Sequence, residues 1–298
     1  MSHESRTGEA RRLQTRQLTI VIALSAGTLL VEVAGGLLSG SLALLSDAGH
    51  VLTDVLALVL SLMAVRFASL PATPAKTYGY HRLEILTALL NGTLLIVISV
   101  GILYKAVRRF LEPAPIESSL MIGVAFLGLL ANLAGVMMLS RAPQNLNLRG
   151  ARMHVIGDAF SSVGVLGAGG VIALTGWQRL DPIVGGAIAV IIAVGSLKLV
   201  REAVDVLLEA TPAGIDLDQV SRAIATVPGV VEVHDLHIWS ITTGLPALSG
   251  HVRLDGSYPH TSDEMLNRIK QTVRDRFGIV HTTIQIESRD YQELGEVH

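Results

Sequence analysis

Six apolar segments of membrane-spanning length constrain the fold of this chain more than any other feature. A transmembrane helix needs about 20 mostly apolar residues, and in lipid it must satisfy its own backbone hydrogen bonds. Half of the 298 residues are hydrophobic and only 16% are charged, which excludes an ordinary soluble protein. The segments are 18–38, 42–65, 85–104, 120–139, 155–174 and 183–199. The sequence therefore predicts an all-α bundle of six transmembrane helices.

The basic residues around these segments predict the orientation of the bundle. Arginines are frequent before the first segment, whereas the link 39–41 contains none. Because cytoplasmic loops are enriched in Lys and Arg, residues 1–16 should form a cytoplasmic tail, and six spans return the C-terminus to the same side. Lys105, Arg108 and Arg109 then fall on the outer side, against this rule. The membrane domain is predicted to cover residues 17–210.

The last third of the chain has the pattern of a soluble α+β domain, predicted over residues 211–298. The sixth helix should continue past the membrane and end before Pro212, because a proline disfavours helical geometry at the preceding residue. Asp216 with Gln219, and Thr261 with Glu264, have the spacing of helix-capping pairs. The predicted order is helix 216–227, strand 230–240, strand 247–254, helix 261–277 and strand 280–287. This αββαβ order predicts a ferredoxin-like domain with both helices on one face of an open sheet.

Two His-x-x-x-Asp pairs lie in the apolar segments, His50 with Asp54 and His154 with Asp158. Residues four apart share one face of a helix, and ionisable residues within a span are usually functional. Two imidazole nitrogens and two carboxylate oxygens can complete a tetrahedral zinc site, and the absence of cysteine excludes thiolate ligands. The pairs therefore predict one metal site between two helices. Interhelical hydrogen bonds, or a proton relay without metal, are the alternative interpretations.

Other polar residues also occur at depth in the predicted spans. Glu32, Asn91 and Asn132 should face the interior of the bundle. Asp47 lies about two turns before the aspartate of the first pair and is a candidate proton or ion relay. An interhelical hydrogen bond is the competing interpretation for each of them. Small residues in the last two spans, Gly185 among them, predict close helix approach.

Histidines on the predicted strands indicate a second, cytoplasmic metal site. Strand alternation assigns His251 and Glu287 to the polar faces of their strands. His234 and His237 should point to opposite faces of a regular strand, so they should not bind one ion unless a neighbouring chain contributes. A single surface histidine is more often simply solvated. The group His234, His251 and Glu287 nevertheless predicts a regulatory metal site.

With these motifs, the sequence resembles the cation diffusion facilitator family of zinc transporters, specifically its bacterial zinc exporters. The resemblance covers residues 20–287, and it is carried by SLALLSDAGHVLTD, YGYHRLEILTALLNG, LNLRGARMHVIGD, HDLHIWSITTG and TTIQIE. It implies a homodimer of six-span subunits in the lipid bilayer of the bacterial inner membrane, with both termini and a ferredoxin-like domain in the cytoplasm. It also implies a charge pair between Arg82 and Glu209 near the dimer contact.

The same resemblance implies roles for individual residues. The transport-site ligands of the family fall on His50, Asp54, His154 and Asp158, and members with a histidine and an aspartate in both pairs look like zinc transporters. The cytoplasmic ligands fall on His234 and His251, with Glu287 where another member has an aspartate. Gln285 stands where that member has a histidine, and glutamine is a poor metal ligand.

The predicted function is export of zinc, and of other divalent cations such as cadmium, in exchange for protons. Metal binding requires deprotonated ligands, so zinc loading releases protons and protonation releases zinc. One alternative is a proton-coupled carrier of organic cations, which would not depend on metal. Another is a membrane metallohydrolase, for which the sequence lacks a His-Glu-x-x-His motif. The net charge of −2 gives no indication of nucleic-acid binding, and no enzymatic activity is predicted.

Overall fold

The computed structural model describes residues 23–68, 72–140, 146–255 and 262–291. Within these ranges the first six helices occupy the predicted apolar segments, and the remaining elements form the C-terminal domain. The elements are α1 (Ala23–Ser39), α2 (Leu42–Ala68), α3 (Arg82–Leu111), α4 (Ser118–Ser140), α5 (Leu146–Thr175), α6 (Leu180–Leu207), α7 (Leu217–Ala225), β1 (Val230–Thr242), β2 (Leu245–Leu254), α8 (Ser262–Phe277) and β3 (His281–Glu287).

The long helices have the length and surface of a membrane bundle. Arg82–Leu111, Ser118–Met138, Val155–Thr175 and Leu180–Leu207 are each long and apolar enough to span a bilayer. On α3 a stripe with seven-residue spacing, formed by Leu90, Val97, Tyr104 and Leu111, is 63–71% exposed. Such an apolar surface is unfavourable in water and suits lipid. The structure therefore confirms the predicted helical membrane bundle.

The contacts divide the chain into two compact units, which are described separately. One unit contains Met1–Leu62 and Leu90–Val200, and the other contains Met63–Leu89 and Arg201–His298. The segment that joins α2 to α3 thus groups with the C-terminal domain, which the sequence did not indicate. Within that unit Thr242 Oγ1 donates to Glu84 Oε2 at 2.6 Å, and the Tyr78 ring meets the His281 ring edge-on. The domain limits at residues 16/17 and 210/211 remain predictions.

In the first unit, the beginning of α2 is capped by a side chain from α6. Asp181 is fully buried, and its carboxylate accepts hydrogen bonds from Ser41 Oγ at 2.5 Å, Leu42 N at 2.8 Å and Ala43 N at 3.1 Å. A carboxylate satisfies the unpaired amides at a helix N-terminus and complements the helix dipole there. Arg109 donates to the carbonyl of Gly40, just before α2. We call this end of the bundle, defined by Gly40, Arg109 and Asp181, the capped end.

The α2 and α6 backbones also pack directly against each other near the capped end. A Cβ atom at Gly185 would lie 2.9 Å from the backbone of Leu42 and Ala43, so only glycine fits this contact. One turn further, Ser46 Oγ donates to the Gly185 carbonyl at 2.7 Å. The close approach predicted from the small residues is confirmed at this position.

The C-terminal domain is a three-stranded sheet covered on one face by two helices. The strand order is β1-β2-β3, with β1 antiparallel and β3 parallel to β2. Apolar residues from both helices and all three strands form one core, which includes Ile224, Leu248 and Ile269. The ferredoxin-like prediction is confirmed. The predicted ends of the first two strands were wrong by two residues, because the ladder continues to the pair Thr242 and Leu245 on either side of a two-residue turn.

The start of α7 is capped as the sequence predicted. Gln219 N donates to Asp216 Oδ1 at 3.2 Å, and Gln219 Nε2 donates to Asp216 Oδ2 at 3.1 Å. The hydrogen bond from the Gln219 backbone lowers the pKa of the Asp216 carboxyl below its usual range. The cap predicted for α8 rests on Thr261, which lies outside the described residues.

Candidate metal sites

One residue from each intramembrane pair meets the other between α2 and α5. His50 Nε2 lies 3.5 Å from Asp158 Oδ1. Two ligands of a tetrahedral zinc ion with bonds of about 2.0–2.1 Å are about 3.3 Å apart. The Asp158 side chain is 9% exposed and the His50 side chain is 33% exposed, so the aspartate is largely buried and the histidine is partly accessible. This distance fits two ligands of one metal ion.

The other two predicted ligands follow by helical spacing. Asp54 is four residues after His50 on α2, and His154 is four residues before Asp158 on α5. Residues four apart on a helix lie on the same face. The side chains of Asp54 and His154 lie outside the described residues, so their part in the site remains a prediction.

Further polar side chains are buried between the helices of the first unit. Asp47 is buried, and Ser161 Oγ on α5 donates to its Oδ1 at 2.5 Å. Asn132 Nδ2 on α4 donates to Ser162 Oγ at 3.2 Å. Glu32 is buried as well, which confirms that it faces the interior. Ser161, which the sequence indicated only as a small packing residue, is therefore part of a polar network.

Asn91 on α3 is also buried, as the sequence predicted. Its Oδ1 has no hydrogen-bond partner among the residues that the structure describes. Asn132 is only partly buried, but its hydrogen bond to Ser162 on α5 shows that it faces another helix, as predicted. All three mid-span polar residues thus avoid a fully lipid-exposed position.

A second cluster brings His234, His251 and Glu287 together on the sheet of the C-terminal domain. His234 Nε2 lies 3.3 Å from Glu287 Oε2, and His251 Nδ1 lies 3.1 Å from Glu287 Oε1. One ligand atom from each residue lies within 4.8 Å of the other two, and Glu287 is only 2% exposed. A buried carboxylate between two imidazoles is a suitable donor set for zinc. Gln285 Nε2 donates to Glu287 Oε1 at 3.0 Å, so the glutamine orients the carboxylate.

A β-bulge in β1 adds a residue that the sequence reasoning missed. His234 pairs with His251 and His237 pairs with Ser249, so two residues of β1, Asp235 and Leu236, stand opposite the single Gly250 of β2. His234 and His237 therefore share a face, because β1 does not have the regular alternation that the prediction assumed. Asp235 takes the left-handed conformation, with φ of 48°, which an aspartate tolerates better than most residues.

The bulge directs Asp235 toward the histidines. Asp235 Oδ1 lies 2.8 Å from His237 Nε2, and its Oδ2 lies 3.7 Å from His251 Nε2. A Cβ atom at Gly250 on the neighbouring strand would lie 2.8 Å from Leu236 Cδ1, so a larger residue there would require the Leu236 side chain to move. The only sequence signal for this geometry was an aspartate between two histidines in HDLH.

The charge pair that the resemblance implied also forms, within the second unit. Arg82 Nη2 donates to Glu209 Oε1 at 2.7 Å, and both side chains are more than 40% exposed. Exposed ion pairs contribute little to stability. The pair is therefore better placed to orient the ends of α3 and α6 than to stabilise the fold.

Comparisons with known proteins find similarity over nearly the whole chain. Residues 18–208 match the cation efflux transmembrane domain, and residues 212–289 match the cytoplasmic domain of cation efflux proteins. The chain is 39% identical over 275 residues to the zinc transporter ZitB of Escherichia coli, with 91% of this chain and 87% of that protein covered. It is 42% identical over 277 residues to the metal cation efflux system protein CzcD of Cupriavidus metallidurans, with 91% and 86% covered.

Two further similarities are of the same kind. The cadmium, cobalt and zinc/H⁺-K⁺ antiporter of Bacillus subtilis is 38% identical over 291 residues, with 97% of this chain and 92% of that protein covered. Among solved structures, the metal-bound C-terminal domain of CzcD has 43% sequence identity and a TM-score of 0.22, and it covers 24% of this chain and 99% of its own.

Proposed function

Because this chain belongs to the cation efflux family, the cation diffusion facilitators, we propose that it exports Zn²⁺ from the cytoplasm in exchange for protons. The observation that carries this proposal is the 3.5 Å approach of His50 Nε2 to Asp158 Oδ1 within the membrane bundle. Relatives named for zinc, cadmium and cobalt transport agree with it.

In this proposal the transported ion is bound by two nitrogens and two oxygens. The four ligands are His50, Asp54, His154 and Asp158. Imidazole favours zinc over harder cations, and carboxylates supply the charge that compensates the ion. Because each ligand must be deprotonated to bind metal, protons that return to the site displace zinc. The proton gradient across the membrane would then supply the driving force for export.

The proposal extends to topology and assembly. The chain is a multi-pass membrane protein, and we assign it to the bacterial inner membrane as a homodimer with both termini in the cytoplasm. The arginines before α1 support this orientation. Domain limits at 1–16, 17–210 and 211–298 follow from the predicted tail and the proline after α6. The Arg82 and Glu209 pair would then lie at the cytoplasmic surface, near the dimer contact.

The cytoplasmic cluster is proposed to hold a regulatory Zn²⁺. His234, His251 and Glu287 would be its ligands, and Asp235 would hydrogen-bond or complete the coordination from the bulge. Loss of this ion is expected to change the transport rate without removing the transport site, since the two sets of residues lie in different units.

The enzyme alternative has less support than the carrier. Hydrolysis at zinc needs an open ligand position and a general base, whereas four protein ligands close the proposed site. The organic-cation alternative predicts transport that is insensitive to chelation of zinc. A carrier, and not an enzyme, therefore fits the site best.

The proposal is tested in proteoliposomes that contain a zinc-sensitive dye and a pH-sensitive dye. His50→Ala and Asp158→Ala are expected to abolish zinc flux, because each removes one of four ligands, while the protein still elutes as a folded dimer. His81→Ala is the matched control, since this histidine lies outside both clusters. Wild-type flux in either ligand variant would refute the site. Zinc flux without a pH change in the wild type would refute the exchange with protons and indicate a uniporter.

A further inference from the structure

Glu32 on α1 is a buried carboxyl with no role in the function proposed above. It is 1% exposed, and its Oε2 atom has no hydrogen-bond partner among the residues that the structure describes. An ionised carboxylate that is buried and unpaired is very costly. Such a group must hold a proton or be compensated by a cation.

The carboxyl of Glu32 packs against α4 and lies close to α5 in the part of the chain that the structure describes. Its carboxyl fills the space left by a glycine on α4, since a Cβ atom at Gly128 would lie 2.9 Å from Glu32 Oε1 and 3.7 Å from Ser162 Oγ. The sequence of α4 contains no ionisable residue. Ser162 lies one helical turn after Asp158 on α5, and its neighbour Ser161 is hydrogen-bonded to Asp47, so both carboxylates lie near the Glu32 carboxyl. Both carboxylates oppose a further negative charge at this position.

We propose that Glu32 carries one of the protons exchanged in the proposed antiport, on which this inference rests, and that it is not a metal ligand. Without zinc, the neighbouring carboxylates favour the protonated acid. When Zn²⁺ binds beside Asp158, its two positive charges favour ionised Glu32, so the O–H bond breaks and the proton passes to solvent water. When zinc leaves, a proton from water returns to the carboxylate.

The hydrogen bonds distinguish Glu32 from Asp47 in this role. Asp47 accepts a 2.5 Å hydrogen bond from the Ser161 hydroxyl, which stabilises its carboxylate form. Glu32 Oε2 receives no comparable donor from the described residues. Glu32 also lies on a different helix from His50 and Asp158, so it is separate from the proposed metal ligands.

The test counts the protons released per zinc ion bound by the purified full-length protein. Calorimetric titration of zinc in buffers of different ionisation enthalpy measures this number. Glu32→Gln is expected to bind zinc and to release about one proton fewer than the wild type. Glu32→Asp, which keeps an acid, should restore the release. Glu117→Gln makes the same change at an exposed glutamate and should match the wild type.

Each other outcome overturns the proposal in a recognisable way. An unchanged proton count in Glu32→Gln would make Glu32 structural and leave the antiport intact. Loss of zinc binding in that variant would make it a ligand. Absence of proton release from the wild type would instead refute the antiport itself.

Infrared spectroscopy gives a second test that does not need the glutamine variant to fold. Addition of zinc to the wild type should remove the carbonyl band of a protonated carboxyl, and the band should change frequency in Glu32→Asp. If no band is lost, or if its frequency is the same in both proteins, the proton is not on residue 32.

Discussion

Removal of the Asp181 carboxylate should destabilise the membrane bundle by an amount that the structure allows us to work out. Asp181→Ala leaves the Leu42 and Ala43 amides and the Ser41 hydroxyl buried without their acceptor. The hydroxyl can rotate, but the two amides cannot. At about 1–3 kcal/mol for each unsatisfied buried donor, the cost is about 3 kcal/mol after some relaxation. This corresponds to about a hundredfold fall in the ratio of folded to unfolded protein.

The graded variant Asp181→Asn sharpens this prediction. It keeps one carbonyl oxygen as an acceptor, so the expected cost is about 1 kcal/mol. Thermal unfolding of the detergent-solubilised protein, followed by size-exclusion chromatography, should rank the wild type above Asp181→Asn, and this variant above Asp181→Ala. Asp205→Ala, at an exposed position of the same helix, is the control. Equal midpoints for Asp181→Ala and the wild type would show that water caps α2 equally well, and the argument would fail.

Three further predictions follow from the two metal clusters and the bulge. His50→Asp should raise cadmium flux relative to zinc, because an oxygen replaces a nitrogen ligand; an unchanged ratio would indicate that cavity shape sets the selectivity. His234→Ala combined with His251→Ala should bind one zinc ion fewer per chain in equilibrium dialysis and still transport zinc, whereas wild-type stoichiometry would exclude a cytoplasmic site. Gly250→Val should lower the unfolding free energy of the C-terminal domain by about 1 kcal/mol, because Leu236, which packs against the core, must move to admit the new side chain; denaturant titration would detect this change.

The membrane helices were predictable because lipid leaves the backbone few alternatives. An apolar segment that spans a bilayer must satisfy its own amides and carbonyls, so its hydropathy alone indicates a helix. The helix ends were less predictable. The third segment was predicted over residues 85–104, but α3 covers Arg82–Leu111. Charged residues such as Arg108 and Arg109 end the apolar segment without ending the helix, since their side chains can reach water.

Long-range contacts could not be predicted from local pattern. The role of Asp181 depends on amides 138–139 positions earlier in the chain, and nothing near residue 181 identifies them. The same holds for the bond between Thr242 and Glu84. Alternation along a strand assigns side chains to the correct face only where the strand has no bulge. The bulge at Asp235 interrupts this alternation in β1. His251 and Glu287 lie side by side in the structure, because the ladder between β2 and β3 is regular.

The backbone contact at Gly185 holds α2 at the capped end, so that α2 can tilt about this contact. His50 is eight residues beyond Leu42, about 12 Å along the helix at about 1.5 Å per residue. A tilt of α2 by about 5° around this contact would move His50 by about 1 Å and would move Asp54, further along, by more. Metal ligation tolerates displacements of only about 0.2 Å. A rotation of α2 by a few degrees about the Gly185 contact is therefore enough to break the coordination of an ion, without any large rearrangement of the bundle.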